Sequence, residues 1–183
     1  MVQNKLKLLS VALLAATLSS GCTFIGEHKF TGGGTMASAG GDKNAVFTFN
    51  AENCGGDEVK GRVNYVDHSA IDFEDVGGVS LKAQVDNFGY CALTDEGLEN
   101  GVQECNCMDQ FEAQFSYSSK NPQAPGEGTG FVCFFDTGEG KGNFHGAITA
   151  FNLIDGPYEG YGNVGTVNGN IQQHSCPETN EAE

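Results

Sequence analysis

Val79-Ser80-Leu81-Lys82-Ala83-Gln84-Val85-Asp86 decides the fold. Val79, Leu81, Ala83 and Val85 are apolar, and the residues between them are polar. Successive side chains of a strand point to opposite faces, so a period of two puts one face in a core and the other in water. The same period recurs on both sides. Ala45, Phe47, Phe49 and Ala51 alternate with Val46, Thr48 and Asn50, and Val63 and Tyr65 alternate with Arg62 and Asn64. Phe111, Ala113, Phe115 and Tyr117 alternate with Glu112, Gln114 and Ser116, and Phe144, Gly146, Ile148 and Ala150 form a further set. Phe131-Val132-Cys133-Phe134-Phe135 is apolar on both faces and predicts a central strand. Shorter strands are predicted at Val164 to Val167 and Asn170 to Gln173. The one helix candidate, Leu93 to Val102, contains Thr94-Asp95-Glu96-Gly97 and reads as an acidic loop. Short strands separated by Gly-rich turns predict an all-β chain, an antiparallel β-sandwich or jelly-roll-like barrel.

Composition agrees. The chain has 27 Gly, 13 Phe and 5 Tyr against 4 Pro and no Trp. Its apolar share is that of a globular protein, which argues against disorder.

The first residues read differently. Lys5 and Lys7 precede an apolar run from Leu8 to Leu18, and Ser19-Ser20-Gly21 lead into Cys22. The run is shorter than the ~20 residues a membrane-spanning helix needs, and it fits a cleavable export signal. A cysteine at the cleavage point resembles the bacterial lipoprotein lipobox, in which that thiol is acylated with palmitate-type chains and becomes the new N-terminus. Ser19 stands where the usual pattern has Leu, with Leu18 one place earlier. Thr23 follows the cysteine where Asp would signal inner-membrane retention, so the resemblance implies the outer membrane of a Gram-negative cell envelope. The expected organisation is a signal peptide over 1–21, a lipidated tether over 22–31, one β domain over 32–176 and an acidic flexible tail over 177–183. The leader holds two of the nine basic residues and no acidic one, so processing takes the formal charge from −15 to −17. Such a surface repels phosphate backbones and anionic headgroups, which excludes nucleic acid as a partner and leaves membrane attachment to the acyl chains.

Without Cys22 the cysteines form an even set: Cys54, Cys91, Cys105, Cys107, Cys133 and Cys176. In an exported chain these predict three disulfides, with 15 possible pairings. Cys54 follows the first clear strand and Cys176 the last, which favours Cys54–Cys176. Cys91 is expected to pair with Cys105 or Cys107, and Cys133 with the other. Zinc thiolate sites favour Cys-x₂₋₄-Cys spacing, which Cys105-Asn106-Cys107 does not offer.

Motifs for chemistry are few. His28, His68, His145 and His174 form no metal-binding element. Asp67-His68 resembles an acid–base pair, yet neighbours on a strand face opposite ways. No nucleophile elbow or phosphate loop exists, and no catalytic residue is assigned. Asp136-Thr137-Gly138-Glu139-Gly140 offers two carboxylates, Asp136 and Glu139, as a Ca²⁺ candidate, with a solvated β-turn as the alternative. Asp72, Glu74 and Asp75 form a weaker acidic cluster.

One ordered set of segments carries a resemblance. It runs from Gly32-Gly33-Gly34 and Val46-Phe47-Thr48-Phe49-Asn50-Ala51 to Gly61-Arg62-Val63-Asn64-Tyr65-Val66-Asp67-His68. It continues with Phe134-Phe135-Asp136-Thr137-Gly138-Glu139-Gly140-Lys141-Gly142, Gly156-Pro157-Tyr158 and Gly169-Asn170-Ile171-Gln172. This order resembles a small β domain of bacterial exported proteins, often found after choice-of-anchor A domains. The match spans Gly32 to His174, while the six cysteines and the Cys91 to Cys107 insertion depart from it. The resemblance implies an exported β module without catalytic residues. The expected function is a lipid-anchored, non-enzymatic envelope module for structure, adhesion or binding of a protein or glycan. The alternative is a Ca²⁺-assisted hydrolase or carbohydrate-binding lipoprotein.

Overall fold

A computed structural model describes residues 21–55, 58–95, 99, 103–138 and 144–177. It is all-β, and every alternating segment named above is a strand. The strands are β1 (Cys22–Ile25), β2 (His28–Ala37), β3 (Asn44–Asn53), β4 (Lys60–Asp67), β5 (Val79–Leu93), β6 (Gln110–Ser119), β7 (Glu127–Phe135), β8 (Phe144–His145), β9 (Ala147–Leu153), β10 (Gly162–Thr166) and β11 (Asn168–His174). They form one sheet in the order β10-β9-β7-β6-β5-β4-β3-β2-β11-β8, with β1 added on β5. All pairings are antiparallel except the short β8–β11 contact. Neighbours in the sheet are mostly neighbours in sequence, and the sheet nearly closes into a barrel.

Closure follows from one kink. Gly146 sits at φ +138° between β8 and β9, where a Cβ would lie 2.7 Å from that of Ile171. A single segment, Phe144–Leu153, therefore pairs with β7 and β10 along β9 and with β11 along β8. The Val167 N–H donates to the Gly146 carbonyl at 3.1 Å across this corner.

The interior is filled by rings. Phe134 meets Phe30 edge-on at 5.3 Å, tilts against Phe49 at 4.9 Å and stacks parallel to Phe88 at 6.3 Å. Tyr65 stacks on Phe151 at 4.2 Å. Such geometries add to the large apolar area that each ring buries. Two 3₁₀ turns, Ile71–Val76 and Gly156–Tyr158, bring Phe73 against Tyr158 and Tyr161.

The span expected as a tether, 22–31, carries strand structure. Residues 22–25 are β1, and β2 starts at His28 with Phe30 fully buried. Gly32, Gly33 and Gly34, at the start of the expected β domain, are the middle of β2, paired on both sides with β3 and β11. Glycine is required because strands come close. Gly34 and Gly169 face each other, and a Cβ on Gly169 would lie 2.2 Å from the Gly33 carbonyl oxygen. The signal-peptide residues 1–20, most of the Leu93 to Val102 loop and the tail from 178 to 183 lie outside the described residues.

Gly169→Ala is expected to destabilise the fold by about 1–3 kcal/mol, through backbone strain at the β2–β11 contact. Gly165→Ala, where the nearest atom is a Met36 side-chain carbon at 3.5 Å, is expected to change little. Urea unfolding of both variants checks this.

Candidate functional site

β5 from Phe88 to Cys91 and β7 from Val132 to Phe134 are covered on both faces. Phe88, Val132 and Phe134 point into the barrel, while Cys91, Phe131 and Cys133 point out. On that outer face Cys22, Cys91, Cys105, Cys107 and Cys133 form a second buried cluster, with Phe24, Phe131 and Ala150 packed against it. Two bridges hold the segment following β5 over this face. Cys91–Cys105 has a Cα–Cα distance of 5.9 Å, and Cys107–Cys133 has 5.5 Å. Both lie in the ordinary range. The third bridge, Cys54–Cys176 at 5.4 Å, joins the residues just past β3 and β11, the pairing expected from their positions. For Cys91 and Cys133, the choice left open between Cys105 and Cys107 is thereby resolved.

Cys22 is the unbridged cysteine, and it is 3% exposed. Its carbonyl accepts from Glu104 N–H at 2.9 Å, and its thiol donates to the Cys105 carbonyl at 2.9 Å. The sulfurs of Cys22, Cys91 and Cys105 all lie within 4.8 Å of one another. A second trio, Cys107, Glu112 and Cys133, is equally tight. In each trio two sulfurs are already joined as a disulfide.

Glu112 is fully buried although its strand position alternates with apolar residues. Its carboxylate accepts from Asn106 N–H and Nδ2, from Cys107 N–H at 2.7 Å and from Gln114 Nε2 at 2.8 Å. It holds the Cys105 to Cys107 turn against β6. The covering turn precedes β6 and belongs to no strand, so no period-two pattern reveals it.

A second polar group missed by sequence reasoning lies inside the barrel. Asp67, fully buried, accepts from Ser38 Oγ at 2.5 Å, Ala39 N–H at 3.0 Å, Tyr161 OH at 2.8 Å and Ser69 N–H at 3.2 Å. The Tyr161 proton is thus committed to Asp67, so Tyr65 OH donates to Tyr161 at 2.6 Å. Asn163 Nδ2 donates in turn to Tyr65 OH at 2.7 Å and to the Ala37 carbonyl at 3.0 Å. Burial works against charge on Asp67, but its four hydrogen bonds outweigh it and hold the carboxyl below its ordinary pKa. Burial raises Tyr65 to about 12, and burial together with the neighbouring Tyr65 and Asp67 pushes Tyr161 up as well. The Asp67-His68 pair does not act together: Asp67 faces in and His68 faces solvent.

The other histidines do not converge. His28 Nε2 donates to the Ile25 carbonyl while the ring packs edge-on against Phe111. His145 Nδ1 donates to the Gly138 carbonyl, and His174 shares a hydrogen bond with Thr31. Of the Ca²⁺ candidates, Asp136 accepts from Gly138 N–H at 2.6 Å and from Gln173 N–H at 3.2 Å, which ties the β7 end to β11. Glu139 lies outside the described residues. An open cleft of about 470 Å³ crosses β6 and β7, lined by Ser116, Ser118, Glu127, Thr129 and Asp155 among others.

No family model, curated protein or solved structure matches the chain.

Asp67→Asn is expected to cost about 1.5–3 kcal/mol, the range for hydrogen bonds to a charged group. Because the folded pKa lies below the unfolded value of about 3.9, the wild-type advantage is present above pH ~4 and lost as pH falls through the folded value. Melting temperatures of the two proteins from pH 7 to 2 should therefore converge at the acid end.

Proposed function

We propose that the chain is a lipid-anchored envelope protein, a non-enzymatic β module held on a membrane through Cys22. The observation that carries this reading is the division among seven cysteines: six pair within the domain, and the unpaired one is the residue at which the leader ends. Two or more acyl chains hold a protein on a membrane stably, since each buried CH₂ contributes about 0.8 kcal/mol. No helix among the described residues is long and apolar enough to cross a membrane.

Acylation and the observed seat of Cys22 exclude each other. A residue that is 3% exposed, with its thiol set against the Cys105 carbonyl, leaves no room for a glyceryl thioether. Lipid is therefore attached before β1 docks on β5, and the acylated end is drawn out of the cluster. Residues from Cys22 to Glu27 then act as the spacer to the bilayer.

A second reading, glycan binding, is favoured by the hydroxyl- and carboxylate-lined cleft over β6 and β7. The large interior aromatics are all committed to the barrel, so this cleft would bind by hydrogen bonds rather than ring stacking.

Intact mass of the membrane-extracted protein tests the anchor. The wild type should lose the leader, gain the mass of a diacylglyceryl group, and show three bridges on reduction. Cys22→Ser should carry none of the lipid mass. An unmodified wild-type mass overturns the reading, and turnover of glycans, peptides or esters in a hydrolase screen overturns its non-enzymatic part.

A further inference from the structure

The sulfurs of Cys22, Cys91 and Cys105 form a closed set. One is a thiol, two are a disulfide, and all three lie within 4.8 Å of one another in a cluster of near-zero exposure. Thiol–disulfide exchange needs a thiolate brought onto a disulfide sulfur, with rates set by thiolate fraction and access. Here access is built into the fold. The Cys22 thiol is delivered by β1, whose residues pair with Tyr90–Leu93 of β5, the stretch that contains Cys91. On its other side Cys22 is bound to Glu104 and Cys105 backbone atoms. The thiol is thus clamped between the two halves of the bridge.

We propose that Cys22, where it is not acylated, exchanges into the Cys91–Cys105 bridge. The Cys22 thiol gives up its proton, and the thiolate attacks Sγ of Cys91 or of Cys105. The Cys91–Cys105 bond breaks as the new bond to Cys22 forms, and the displaced sulfur leaves as a thiolate that takes up a proton. One disulfide and one thiol are present before and after, so no oxidant is consumed. The exchange stops at this trio. Cys107 and Cys133 are bridged with Glu112 beside them and no free thiol, and Cys54–Cys176 joins residues beyond β3 and β11.

The consequence rests on the anchoring reading. A Cys22 locked in a bridge has no thiol to offer an acyl-transfer reaction, so folding before acylation diverts the chain to an unanchored isomer. Once acylated, Cys22 has no free thiol, and Cys91–Cys105 is the only bridge the trio can form.

The test uses the full 183-residue chain, refolded under oxidising conditions without any acyl-transfer machinery. It is held at pH 8, quenched in acid, unfolded and alkylated with a maleimide, and the label is mapped by peptide mass spectrometry. The expected result is one label per chain, shared among Cys22, Cys91 and Cys105 and absent from Cys54, Cys107, Cys133 and Cys176. The Cys22→Ser chain should take no label. A label confined to Cys22 overturns the exchange, as does label spread over the other bridges or retained in Cys22→Ser. Failure of the anchor is read separately: exchange in this chain, with no lipid on Cys22 of the membrane-extracted protein, sustains the chemistry and removes only its link to anchoring.

Discussion

The barrel depends on a charge with no counter-charge. Asp67 lies inside a strongly acidic chain, and only hydroxyl and backbone N–H groups neutralise it. A buried carboxylate without such partners is too costly to persist. The donors come from Ser38 and Ala39 just past β2, Ser69 just past β4, and Tyr161 just before β10. Satisfying one carboxylate therefore fixes three chain segments at once. The relay continues through Tyr65 to Asn163 on β10 and on to the Ala37 carbonyl of β2. β10 and β2 share no ladder, so this relay spans the seam that the backbone leaves open at that end. At the opposite corner the seam is closed by β8, β11 and the Gly146 kink.

A seam closed by side chains is directional in a way that apolar packing is not. Each proton in the relay has one place to go: Asn163 to Tyr65, Tyr65 to Tyr161, Tyr161 to Asp67. Such chains polarise one another in a low-dielectric interior. The stacked rings of Tyr65 and Phe151 add bulk beside it, so the polar and aromatic parts of the core are one unit. The outer cluster works on a different principle. The turn from Cys105 to Cys107 carries no large apolar side chain. Burial alone does not offset its ordering, and two disulfides with separations of 14 and 26 residues do so by shortening the loops of the unfolded chain.

How much of this was legible in the sequence depends on whether the cause is local. Val79 to Val85 and Phe111 to Tyr117 announce their strands because alternation is a property of neighbours. The opposite facings of Asp67 and His68 follow from the same rule. The meaning of Asp67 does not, because its partners lie 28, 29 and 94 residues away. Glu112 reads as a solvent-facing residue for a different reason: its partners are only two to six residues away, but the turn that buries it is placed by disulfides, not by period. Gly32 to Gly34 open the expected β domain, and their lack of side chains lets β2 and β11 approach closely, which no local pattern announces. Cys54–Cys176 was legible from position after the first and last clear strands. Cys105 and Cys107, one residue apart, are separated only by how the turn between them is held.

Cys22 is the point where two designs meet on one atom. As a thiol it is a small apolar plug, the last piece of a cluster that caps the outer face of β5 and β7. As the proposed acylation site it would have to leave that cluster. The magnitudes decide between them. Seating the four residues of β1, Cys22 among them, is worth a few kcal/mol, on the order of burying one or two side chains. A single palmitate-length chain in a bilayer gains on the order of 10 kcal/mol at about 0.8 kcal/mol per CH₂. Under the proposed anchoring, membrane insertion would therefore outweigh docking of β1, a four-residue strand laddered on the far half of β5 and bonded through Cys22 to Gln103 and Glu104. The barrel itself, laddered from β2 onward and braced by Cys54–Cys176, does not depend on β1. A fold whose first strand could be surrendered without opening its seam suits the anchor proposed at Cys22.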